Sequence, residues 1–130
     1  MNTSGETNLA TLLQTMKPVL NAGDYVFCTV DDTSLIPADE MILQFKEQES
    51  TTLIIKKETA DAAGLAYAFV ASWITLTVHS SLEAVGLTAA FSTALAKEGI
   101  SCNVVAAFYH DHIFVDKKDA EKAMAVLNKL

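Results

Sequence analysis

The densest chemistry in the chain is the triplet His110-Asp111-His112. On an extended strand residues two apart face the same way, so two imidazoles around a carboxylate suit zinc or iron. A mononuclear site needs a further ligand, and in this charge-poor half only His79 and Glu83 are at hand. Competing with that reading, His110-Asp111 sits where the apolar pattern predicts a two-residue hairpin turn, and Asp in a turn serves local hydrogen bonding.

A second candidate is the run Ser80, Ser81, Leu82, Glu83, Ala84, Val85, Gly86, Leu87. It lies between a predicted buried strand and the start of a predicted helix. The first amides of a helix have no partner within it and carry its positive dipole end, so the backbone at Gly86, Leu87 and Thr88 can hold an anion. That matters because the chain has no arginine: all nine cations are lysines. In the competing structural reading, Ser80 and Ser81 are turn and capping residues and Gly86 only permits close packing. Asn103, which opens a predicted buried strand before Val104, has an amide that is costly to bury unbonded. No GxGxxG, P-loop, HExxH or GxSxG motif occurs, and nothing in the pattern sets a base beside a nucleophile.

Composition narrows the field. In 130 residues, sixteen acids against nine lysines give a net charge of −7, and 51% of the chain is hydrophobic. Such a chain folds as one compact unit and needs no metal or cofactor to hold it together. Without a basic stripe it does not suit nucleic acid. Cys28 and Cys102 lie in apolar runs outside any CxxC pair, as free thiols in a reducing compartment would. The N-terminal run lacks the pattern of a secretory signal. The apolar stretch 65–78 is too short to cross a bilayer and reads as a buried strand.

The elements that must position these residues follow from periodicity. Leu9, Leu12, Leu13 and Met16 mark an amphipathic helix, stopped near Pro18. Residues 25–30 and 51–57 read as strands, 58–64 as a short helix, and 42–47 as either helix or strand. The second half reads as strand 66–79, a helix from Gly86 stopped by Gly99, strands 103–109 and 112–115, and a last helix opened by Asp116 and Asp119. That order is a ferredoxin-like unit lacking its final strand. An open sheet edge is a hazard, so a strand from the first half should complete it, with residues 25–30 the best donor. The expected fold is therefore α/β (α+β): two interlocked βαββαβ pseudo-repeats with antiparallel sheets and helices on one face, divided at 1–66 and 67–130.

Residues 78–115 resemble the ACT domain, through Gly86 heading the first helix, the helix end Ala94-Leu95-Ala96-Lys97-Glu98-Gly99-Ile100, the following Cys102-Asn103-Val104-Val105, and the hairpin returning through Ile113-Phe114-Val115. The whole chain is similar to small stand-alone bacterial proteins carrying two ACT-like units in tandem, and to the regulatory ACT modules of aspartate kinase. The resemblance implies a cytoplasmic regulatory protein, not an enzyme. It would bind a small amino acid, use no cofactor, form a homo-oligomer and act on a protein target in trans. By the same resemblance the ligand residues are Ser80, Ser81, Leu82, Glu83, Val85, Gly86, Leu87, Asn103 and Val104. To these the residue chemistry adds Asp111 facing the ligand ammonium, with His110 and His112 beside it. The two rival readings are a metal-binding enzyme using His110-Asp111-His112 and a purely structural oligomerisation module.

Overall fold

The computed structural model describes residues 5–78 and 80–130. In chain order its elements are α1 (Leu9–Thr15), β1 (Lys17–Leu20), β2 (Tyr25–Val30), β3 (Met41–Lys46), β4 (Thr51–Lys56), α2 (Lys57–Ala63), β5 (Val70–Thr77), α3 (Leu87–Lys97), β6 (Asn103–Ala106), β7 (Asp111–Asp116) and α4 (Ala120–Leu127). Short 3-10 turns occupy Thr33–Leu35, Ala38–Glu40 and Lys117–Asp119. Two compact units result, one of residues up to Ala22 together with Ser72–Leu130, the other of Gly23–Ala71.

In the larger unit the strand order is β1-β5-β7-β6. β1 runs antiparallel to β5 with Leu20 opposite Ile74 and Lys17 opposite Thr77, and β6 pairs antiparallel with β7, Val105 opposite His112. Taken from β5 onward this is a βαββα chain whose last strand is supplied by β1. The ferredoxin-like topology is as expected. The donor differs: residues 17–20, not 25–30, close this sheet. Residues 25–30 are apolar on both faces, the usual mark of an interior strand, and they occupy such a position between β4 and the start of β5 in the other unit. The exposed, proline-containing KPVL segment serves as the outer strand, where a missing amide is tolerated.

One face of this sheet carries the core. Ile74, Leu76 and Val78 from β5 and its exit, and Ile113 and Val115 from β7, meet Leu12 of α1, Phe91 and Leu95 of α3, and Ala123 and Leu127 of α4. The alternation that sends 74, 76, 113 and 115 to the helices sends Trp73, Thr75, His112 and Phe114 to the opposite face.

The smaller unit repeats the order as β3-β4-β2 followed by Val70 and Ala71 of β5. Its core is Val26, Cys28 and Val30 with Leu53, Ile55, Ile36 and Ala60. Two 3-10 turns stand where the first helix of the motif would be. The ambiguous 42–47 stretch is strand: β3 pairs antiparallel with β4 through a shift between Met41 and Leu43, which breaks the alternation a sequence pattern needs.

Candidate functional site

The loop after β5 is built largely from its own backbone. Ser81 Oγ accepts the Glu83 amide at 3.1 Å and the Ser81 carbonyl accepts the Ala84 amide at 3.0 Å, so Ser81 shapes a turn. Ser80 Oγ donates to the Ser81 carbonyl at 3.2 Å. The N-terminal segment lies against this loop: Glu6 bridges Ser80 in parallel fashion, and its carbonyl accepts the Ser81 amide at 3.0 Å. Glu6 Oε1 also accepts the amides of Thr7 and Asn8, and Asn8 caps α1 by accepting the Thr11 amide. No periodicity marks residues 5–8, so their part in the loop was not readable from sequence.

Leu82 and Val85 point to solvent, 67% and 83% exposed, whereas Leu87 is core. Leu87 was expected in the ligand set, yet its side chain belongs to the apolar cluster, leaving its amide as the part able to meet a ligand. Gly86 adopts φ +101°, and a Cβ there would come within 3.0 Å of Leu9 Cδ2. Glycine is therefore favoured by the left-handed backbone, and an added Cβ would also make the Leu9 side chain give way. No side chain caps α3. Gly86 lines one end of a cavity of about 830 Å³ along α3, with Ala89, Ala90, Thr93 and Ala94 as floor, Leu9, Val126 and Leu130 as apolar walls, and Lys97, Glu98 and Lys129 as charged rim.

The β6–β7 hairpin turns through residues 107–110, closed by the Ala107 amide donating to the His110 carbonyl at 3.1 Å. Asp111 is not in the turn, as the two-residue spacing suggested, but is the first residue of β7, opposite Ala106. Aromatic Phe108 and Tyr109 extended the apparent strand pattern; they form the turn instead, edge to face with centroids 5.0 Å apart. Asp111 is 9% exposed, and loss of solvent raises its carboxyl pKa, opposed by the charge of His110. His110 donates from Nδ1 to the Val78 carbonyl at 3.2 Å, tying the hairpin to the entry of the 78–86 loop. Asn103 donates to the Phe114 carbonyl at 3.1 Å across the β6–β7 pair, so its amide is satisfied within the sheet. Val104 packs on the core from the edge.

His112 has turned to the other face. Trp73 Nε1–H donates to His112 Nδ1 at 3.0 Å, and Thr75 Oγ1 lies 3.2 Å from the same nitrogen. The His110 and His112 rings are 6.5 Å apart, while Asp111 sides with Ile113 and the helices. The triplet therefore does not converge on one point. Among the described residues no group of three or more His, Cys, Asp or Glu is disposed to hold a metal ion, and His79 lies outside the described residues. Burial and the neighbouring His110 both lower the His112 pKa.

A family model of the ACT domain matches residues 4–72, and a second ACT-domain model matches 69–129. The chain belongs to the ACT domain family. Its two ACT domains stand in tandem, and such domains point to a regulatory, ligand-binding role. A Vibrio cholerae protein of unknown function, described as a possible transport protein, is 53% identical over 93% of this chain and 94% of its own, with a TM-score of 0.82. An Agrobacterium tumefaciens protein at 18% identity shares the fold over 88% of this ACT chain and 87% of its own, TM-score 0.70. So does the regulatory subunit of aspartate kinase from Thermus thermophilus, at 13% identity, 88% and 96% coverage and TM-score 0.59. Comparison with curated proteins gives no significant relative. Among the described residues no helix is long and apolar enough to cross a membrane.

Proposed function

We propose that this tandem ACT protein is a cytoplasmic, non-catalytic sensor that binds an amino acid and passes the state of that site to a protein target in trans. The observation that carries the reading is the start of α3. Its first-turn amides follow a left-handed glycine and have no side-chain cap, and the loop leading to it is tied at Val78 to the hairpin that carries Asp111, a carboxyl removed from solvent. In a chain without arginine, a ligand carboxylate is best met by those amides. Its ammonium group then faces Asp111, and the Ser80–Ser81 turn with Asn103 and Val104 shapes the surroundings. Ligand affinity that differs between two packings of the chain would make it a regulator.

Assembly into a homo-oligomer belongs to the same proposal. Leu82 and Val85 on the loop, and Phe108 and Tyr109 on the hairpin, are large apolar side chains left exposed around the candidate site. A second copy covering them would place the site at an interface.

The direct test is calorimetric titration of the full chain with each of the common amino acids, alongside thermal melting. Binding of one small class, weakened at least tenfold by Asp111→Asn, is the expected result. No heat and no change in melting temperature with any of them overturns the reading.

A further inference from the structure

We propose that Asn21, Trp73, Thr75 and His112 form a proton-sensitive latch that holds the end of the return strand β1 in its sheet. β1 needs such a fastening. It has four residues, one of them Pro18, which offers no amide, and three of its side chains are exposed. Its end is secured by Asn21, whose amide donates to the Trp73 carbonyl at 2.9 Å and whose side-chain Nδ2 reaches the same carbonyl at 3.2 Å. Nδ2 also donates to Thr75 Oγ1 at 2.9 Å. Thr75 thus accepts from Asn21, leaving its own proton for His112 Nδ1, where the Trp73 indole N–H also arrives.

An indole N–H can only donate. His112 Nδ1 must therefore be an acceptor, so the imidazole is neutral with its proton on Nε2. Protonation at Nδ1 would set a third hydrogen against the two already aimed at it: the Trp73 indole would lose this acceptor, and the Thr75 hydroxyl would have to change from donor to acceptor. The Thr75 hydroxyl hydrogen then rotates away from His112, and the oxygen that accepts from Asn21 must accept from the imidazolium as well, which changes the geometry of the Asn21 bond. His110 is poised the opposite way. A carbonyl can only accept, so His110 carries its proton on Nδ1 toward Val78 and keeps that bond when charged. The latch opens only when a proton reaches His112.

Among the described residues the other titratable or charged groups on this side of the unit are few. By strand register Lys17 of β1 lies there opposite Thr77, and Asp116 lies there at the end of β7, its carboxylate accepting the Lys118 amide. β5 presents Trp73, Thr75 and Thr77, and β6 presents Asn103 and Val105, none of which titrates in the range of a histidine. Among the described residues the one other histidine is His110, and His79 lies outside them.

Trp73 is the sole tryptophan and reports on the latch directly. The experiment is an NMR titration of the imidazole protons of the full chain between pH 8 and 5, with Trp73 emission and amide exchange at Val19, Leu20 and Asn21 followed in parallel. The His112 midpoint is expected below the ordinary histidine value, with the emission step at the same midpoint. Exchange at Asn21, corrected for its intrinsic pH dependence, should rise by up to about tenfold per pH unit as pH falls from the ordinary histidine value of 6.5 to the lowered His112 midpoint. His112→Gln should abolish both steps, Trp73→Phe should raise the His112 midpoint, and His110→Gln should keep the steps. If His112→Gln does not fold, the wild-type and Trp73→Phe titrations decide. Emission and exchange that ignore His112 titration, or a step that survives His112→Gln, overturn the proposal.

Discussion

Gly86, at the head of α3, and Leu9, at the start of α1, are close neighbours: a Cβ added at Gly86 would stand 3.0 Å from Leu9 Cδ2, so that the leucine side chain would have to give way. The far end of the candidate ligand loop thus lies against a helix that precedes it by more than seventy residues in sequence.

Gly86→Ala should cost about 1–2 kcal/mol from the left-handed backbone, with a further penalty from displacing Leu9. Gly99→Ala offers the control, because Gly99 has φ +72° with nothing near its missing Cβ. Urea unfolding should rank Gly86→Ala as the more destabilising. Adding Leu9→Ala should recover the excess at Gly86 but leave Gly99→Ala unchanged; equal losses at both glycines refute the contact.

Leu12→Ala is the cleanest test that the N-terminal helix belongs to the core of the larger unit. Leu12 is fully buried among Phe91, Leu95 and Ile74. Truncating a buried leucine costs about 2–5 kcal/mol, whereas the same change on a loosely docked arm costs little. Chemical denaturation measures the difference.

The fold was legible where periodicity was undisturbed. α1 announces itself through Leu9, Leu12, Leu13 and Met16, and β2 and β7 through dense β-branched and aromatic runs. What could not be read was long-range pairing. Residues 17–20 carry no apolar alternation, so nothing local shows that they, rather than residues 25–30, complete the sheet beside β5. The site followed the same division. Gly86 was readable because glycine before an apolar stripe has a backbone meaning, whereas the Trp73–His112 bond joins positions thirty-nine apart and leaves no local trace. The pattern places Asp111 in the turn because Phe108 and Tyr109 have strand-forming side chains, whereas the turn takes the four residues 107–110.

Cys102 should be unreactive in the native protein. Burial pushes its thiol up to about 11, and Cys28, deeper in the smaller unit, is raised by the same cause. Thiolate is the reactive form, so at pH 8 the native Cys102 should react about a hundredfold slower than in urea with an aromatic disulfide reagent. Release of the chromophore over time reads this out, and equal native and unfolded rates would contradict the burial.

Asp111→Asn separates stability from binding. Because burial raises its carboxyl pKa, the folded state holds that proton more tightly than the unfolded chain. Its contribution is fully present below the ordinary carboxylate value of 3.8 and is lost as pH rises from there through the folded pKa. His112 has the opposite sign: its lowered pKa favours the fold above the ordinary value of 6.5 and is lost as pH falls. At pH 7 the Asn variant removes a desolvated charge and should be at least as stable as wild type, while losing the pH dependence in the acid range. Its affinity for an amino-acid ligand should fall tenfold or more, since a hydrogen bond to a charged group contributes about 1.5–3 kcal/mol. Melting curves at pH 7 and pH 4, paired with titration of the same samples, distinguish the outcomes. A variant that is less stable at pH 7 and binds as wild type would show Asp111 to be a structural carboxylate.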